Sequence, residues 1–239
     1  MASLDDVVFA FDFSRIETIL GVRYLFDYSK NGFHFAFPGG AADPTPQLDG
    51  SLLFSGAQYL SLPAATLARF YAAVPTGALT ILVQFAQGDA SNGALLSFNN
   101  GGGGGVWKGL LLSSSMAVGS YNLYAFQGAA GLPYTTALYG TTAVGALHVL
   151  GITNEASPRA MRNQSRIVAS WGAGAFGTIV NDTTIVPRIG DGVPLGGYNF
   201  VGRISHLALL RGALASSDLA LYSRLIAEGS QKPFCWRAS

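Results

Sequence analysis

Short apolar runs that alternate with polar or small residues fill most of the chain, and they predict strands. Val7, Phe9, Phe11 and Phe13 recur at every second position, which puts them on one face of a strand. Phe33, Phe35 and Phe37 repeat that pattern after Asp27-Tyr-Ser-Lys-Asn-Gly32, whose Asn-Gly pair suits a tight turn. Residues 38–46 read as a loop, and residues 48–63 as two short strands about Ser55-Gly56. Residues 64–73 have room for one or two helical turns with Leu67 and Phe70 inward. Residues 79–85 are apolar and β-branched, the pattern of a buried strand. Further strands fall at 94–98, 106–113, 120–126, 134–139 and 145–153. Residues 154–163 read as an exposed turn, and 166–171 pairs with 176–180 across Gly172–Gly174.

The chain is organised around its closing stretch. A strand over 199–210 leads through Arg211-Gly212 into a helix, where Ser216 or Ser217 can cap and Asp218 suits the positive first turn. Leu219, Tyr222, Leu225 and Ile226 then fall at helical spacing, and Gly229 suits a left-handed stop. Many short strands with turns between them predict an all-β antiparallel sandwich with one short C-terminal helix. No repeat of 20–50 residues and no linker is visible, so residues 1–239 read as one domain, with 1–6 and 231–239 as arms.

Composition changes the picture in one respect. Only 11% of residues are charged, against ~25% in ordinary soluble domains, and the net charge is +1. That balance gives no field to draw in nucleic acid or an acidic membrane, and no apolar run reaches the ~18–20 residues of a span. A weakly charged surface tends to associate. The single cysteine, Cys235, leaves no internal disulfide, and the first residues have no signal-peptide pattern.

Four blocks, in order, resemble a known family: Asp27-Tyr-Ser-Lys-Asn-Gly-Phe-His34, Leu52-Leu-Phe-Ser-Gly-Ala-Gln-Tyr-Leu-Ser-Leu-Pro63, Leu79-Thr-Ile-Leu-Val-Gln-Phe85 and Gly145-Ala-Leu-His-Val-Leu-Gly-Ile-Thr153. With Arg188-Ile-Gly190, Phe200-x-Gly-Arg-Ile204 and Ala213-Leu214 they resemble the concanavalin A-like jelly roll in its laminin-G/pentraxin form. That resemblance implies a sandwich that hosts lectins, glycanases, adhesion modules and virion proteins alike. Relatives often carry an acidic pair after the closing-strand isoleucine, where this chain has Ser205-His206. His206, Ala208 and Leu210 then continue one alternating face, which reads either as a contact surface or as core.

Catalytic patterns are missing from the sequence. Retaining glycanases need two carboxylates ~5–5.5 Å apart, and Glu17, Glu155 and Glu228 stand isolated. The histidines are not at metal spacing, and Gly101–Gly105 is not followed by the Gly-Lys-Ser/Thr of a phosphate loop. Calcium, bound in relatives, has two candidate positions, Asp89 with Asn92 and Asp182 with Asn181, both also ordinary turn residues. Trp107, Tyr121 and Tyr198 are candidates for stacking on sugar rings, against ordinary core packing.

Two readings follow, both non-enzymatic and without a required cofactor. The first is a structural or adhesion protein of a bacteriophage virion, assembled in the host cytoplasm. It would bind other virion proteins or itself as a homo-oligomer, through a surface including His206, Ala208, Leu210, Phe234 and Trp236. The second is a lectin-like module that binds a glycan.

Overall fold

The computed structural model describes residues 6–89, 91–99, 108–115, 120–127, 134–138, 144–163, 165–173, 177–192 and 198–228. The elements are almost all strands: β1 (Val7–Ile19), β2 (Val22–Asp27), β3 (Phe35–Ala36), β4 (Thr45–Pro46), β5 (Leu52–Ser55), β6 (Leu60–Ser61), β7 (Leu79–Gln87) and β8 (Asn92–Asn99). There follow β9 (Lys108–Ser115), β10 (Ser120–Gln127), β11 (Tyr134–Leu138), β12 (Leu147–Asn154), β13 (Ala160–Arg162), β14 (Ser165–Ala173), β15 (Arg188–Ile189) and β16 (Val201–Arg211). Helix α1 (Leu67–Ala73) follows β6, and α2 (Ser216–Ala227) follows β16.

All pairings are antiparallel, and the strands run β1-β2-β3-β6-β15-β8-β9-β10-β11-β14-β13-β12-β7-β16, after which β16 pairs back with β1. The start of β1 pairs with β16 and its end with β2, so this one strand carries the sheet from one layer to the other. The result is a closed antiparallel sandwich. Its core is aromatic: Phe9, Phe11, Phe13, Phe33, Phe35, Phe54, Phe70, Phe85 and Phe98 lie in one buried cluster.

Val7 leaves the face shared by Phe9, Phe11 and Phe13. A bulge between Val7 and Phe9, opposite Leu210 and Leu209, turns Val7 outward to join Ala10 beneath α2. Residues 154–163 are not a plain exposed turn, because β13 forms there with Ala160 and Met161 buried. The predicted pairing of 166–171 with 176–180 does not form, since β14 pairs with β11 and β13 instead. Residues 177–180 have no strand; Ile179 N donates to Thr76 O and Val180 N to Phe126 O.

Helix α2 packs across the outer face of the layer holding β7, β12 and β16. Leu219, Tyr222 and Ile226 meet Leu82, Val149, Ala208 and Leu210 there. The helix starts at Ser216 with Ala215 as its N-cap and no side-chain cap, so neither serine takes the predicted role. Gly229 lies outside the described residues. Gly151 allows the close approach: a Cβ there would sit 2.9 Å from Leu219 Cδ2 and 3.0 Å from Leu82 Cδ2. Gly151→Val is therefore expected to lift α2 and cost about 2 kcal/mol, read as a lower urea midpoint. Gly202, the glycine of the closing block, has φ +142° and faces the Ala86 carbonyl so closely that no Cβ fits.

Candidate functional site

The first strands build an outer face that is unusually aromatic. Leu25 and Asp27 of β2 point inward, so Tyr24, Phe26 and Tyr28 point outward. Glu17 of β1 lies opposite Tyr24, and Ala36 of β3 pairs on Tyr24's other side. Phe26 is the middle of a stack. The Arg15 guanidinium carbon is 4.2 Å from its ring centroid, and the His34 ring stacks at 4.2 Å. Arg15 also reaches the Tyr28 ring at 4.9 Å and pairs with Glu17 at 2.9 Å.

This face is held by a buried carboxylate. Asp27 Oδ1 accepts from Ala10 N at 2.9 Å and Ser29 N at 2.8 Å. Its Oδ2 accepts from Ser29 Oγ and Phe33 N, both at 2.7 Å. Burial pushes the Asp27 pKa above the usual carboxylate value, and these donors offset only part of that rise. Asn31 Nδ2 donates to Val7 O and Val8 O, and Tyr28 N to Ala10 O, so the turn over 27–34 is tied to β1. Asp27 N donates to His34 Nδ1 at 3.0 Å. With Nδ1 accepting, the neutral ring carries its proton on Nε2.

A pocket of about 270 Å³ opens beside the stack, lined by Ile19, Tyr24, Gly32, His34, Pro63 and Thr66. Its walls are mainly apolar, with Tyr24, His34 and Thr66 as the polar side chains that line it; the Thr66 hydroxyl donates to Pro63 O at 2.7 Å. Its size is near the lower end of ligand pockets, ~300–1,000 Å³, which suits one sugar ring. The β1–β2 hairpin forms its rim. Leu20 (φ +50°) and Gly21 (φ +81°) make a left-handed turn, and Leu20 is fully exposed. Across the 27–34 turn lies a second, open cleft of about 670 Å³, lined by Lys30, Asn31, Gly32, Phe33, Arg69 and Arg211 among others.

The sequence-based candidates fall elsewhere. Ala208 and Leu210 are 0% and 1% exposed, because α2 covers them; they are core and not a contact surface. His206 is half-buried, its Nδ1 2.8 Å from Gln84 Oε1, and burial lowers its pKa while nearby Asp12 raises it. Tyr121 is fully buried between the layers and bonded to His148, so its ring is closed to a sugar. Tyr198 is half-buried against Ala94, Leu111 and Phe126. Trp107, Phe234 and Trp236 lie outside the described residues. The calcium candidates serve turns: Asp89 accepts from Ser91 and Asp182 from Thr184, in each case from backbone and hydroxyl. No group of three metal-ligating side chains occurs among the described residues.

Tyr24, Phe26, Tyr28 and His34 are absent from the sequence-based set. Their signal is present in the chain: aromatic residues at 24, 26 and 28, out of phase with Leu25 and Asp27.

The described residues thus define an antiparallel β-sandwich with an aromatic-lined pocket on its outer face. No protein-family model matches the chain, and no curated protein matches it. Solved structures do. The botulinum neurotoxin type G receptor-binding domain aligns at TM-score 0.60 and 8% identity, over 92% of this chain and 51% of that one. A botulinum neurotoxin type C structure, described by its dependence on two ganglioside molecules for cell entry, gives 0.59 and 10% over the same shares. Trypanosoma rangeli sialidase in complex with sialic acid gives 0.59 and 14%, over 95% of this chain and 34% of that one. These likenesses establish the shared β-sandwich. The chain spans about half of each neurotoxin chain and a third of the sialidase.

Proposed function

We propose that this protein is a non-enzymatic, lectin-like module that binds a saccharide in the pocket formed by Tyr24, His34, Ile19, Pro63 and Thr66. The pocket itself carries the reading. An aromatic ring and apolar walls suit the C–H face of a sugar, and the polar groups of His34 and Tyr24 suit its oxygens, while the Thr66 hydroxyl donates to Pro63 O and can only accept. The stack with Arg15 and Phe26 holds His34 in place before a ligand arrives. Among the described residues no acidic side chain lines the pocket or the neighbouring cleft, which speaks against the paired carboxylates of glycoside hydrolysis.

The neighbours support the same reading, because one is a neurotoxin dependent on gangliosides for cell entry and another a sialidase in complex with sialic acid. The ordered blocks of strand and turn support a concanavalin A-like jelly roll as the finer fold. The virion reading has no comparable geometry behind it, since two of its three described contact residues are covered by α2.

A glycan array followed by calorimetric titration tests the proposal. Tyr24→Ala is expected to weaken saccharide binding about tenfold, the equivalent of ~1.4 kcal/mol, with the melting temperature little changed. If wild-type protein retains no saccharide, or Tyr24→Ala binds as tightly as wild type, the pocket is not the site.

A further inference from the structure

The sugar pocket has a charged neighbour. Gly32 lines both the pocket and the open cleft on the other side of the 27–34 turn. Three cations from three separate elements line that cleft: Lys30 from the turn, Arg69 from α1 and Arg211 from the end of β16. Its other lining residues, Asn31, Gly32, Phe33, Ala72 and Ala73, are all uncharged. In a chain with 11% charged residues and a net charge of +1, this is a concentrated positive field.

One of the cations is partly pre-positioned. Arg69 donates through Nη2 to Asn31 O at 2.6 Å, and its guanidinium carbon lies 5.6 Å from the Phe33 ring centroid. This contact orients the guanidinium, and the N–H groups it does not use are open to a ligand. Arg211 is exposed and makes no side-chain hydrogen bond or ion pair among the described residues.

We infer that pocket and cleft form one bipartite site for an acidic saccharide. The ring rests against Tyr24 and His34, and the anionic group is held by Arg69 and Arg211, with Lys30 on the wall of the cleft. This rests on the glycan-binding reading and adds the charge of the ligand. Planar guanidinium groups match a carboxylate or a sulfate by paired, charge-assisted hydrogen bonds. Both chemistries share the required negative charge.

The test titrates wild-type protein with a carboxylated oligosaccharide, its neutral methyl ester and a sulfated counterpart. The carboxylated form is expected to bind about tenfold more tightly than the ester at low salt. The difference should shrink toward 1 M salt, where the screening length falls to ~3 Å. Arg69→Gln is expected to remove most of that preference. Arg211→Gln, which breaks no internal contact, should weaken the acidic ligand about threefold and leave the ester unchanged. Tighter binding of the sulfated form would support the site and name sulfate as its anion. Equal affinity for acid and ester, with both arginine variants binding like wild type, would overturn the bipartite site and leave the Tyr24 pocket standing. Binding of none of the three overturns both readings.

Discussion

Replacing Asp27 by alanine is expected to lower the unfolding free energy by about 4 kcal/mol and to weaken saccharide binding with it. The carboxylate is almost fully buried and accepts from three backbone amides and one hydroxyl. Truncation leaves all four donors without this partner, at ~1–3 kcal/mol for each that water does not reach. The loss spreads to function because the same carboxylate shapes the turn that presents Lys30, Gly32 and His34. Asp27→Asn keeps one acceptor oxygen and should fall about midway. Urea unfolding gives the energy, and hydrogen exchange at the Ala10 and Phe33 amides locates it. Equal protection of both amides in the alanine variant would refute this role for Asp27.

Between pH 6.5 and pH 4 the protein is expected to lose about 3 kcal/mol of stability through His148. The ring is buried in the core, stacked on Phe85 at 5.3 Å and bonded to the Tyr121 hydroxyl. Burial, with a smaller effect from Arg162, lowers its pKa to about 4 from an ordinary 6.5. The unfolded chain therefore takes up the proton first. The contribution of the neutral ring is complete above pH 6.5 and is lost as the pH falls to about 4. His206 is shifted in the same direction and steepens the decline. Asp49 and Asp182 have lowered pKa values, so their contributions fade only below the ordinary carboxylate value. Asp27, raised by burial, favours the fold when protonated and opposes the trend. Comparing wild type with His148→Gln isolates the histidine. The variant should show a flatter profile of urea midpoint against pH, and parallel profiles would assign the acid sensitivity to other groups.

The strand alternation of this chain is legible because one face of each layer is core, as Phe33, Phe35 and Phe37 show. The same alternation says nothing of what covers the other face. Ala208 and Leu210 read equally well as a surface or as core until α2 is seen lying over them. The bulge at Val7 is invisible for a related reason, since it is set by pairing with Leu210 and Leu209 far along the chain. The aromatic face was readable at Tyr24, Phe26 and Tyr28. Their partners were not. Arg15 and His34 join the stack through pairing between strands, and no spacing in the sequence links Lys30, Arg69 and Arg211.

Strand β1 finds part of its ladder on β16, nearly the whole chain away. The aromatic side chains of β1 must therefore wait, without their final neighbour, until the last long strand has been synthesised. Such long-range closure makes for slow folding and a late, all-at-once completion of the core. During that interval Phe9, Phe11 and Phe13 are a hazard for self-association in the cell. A chaperone that shields the nascent chain should raise the yield of native protein, and slower translation, which lengthens the wait, should lower it.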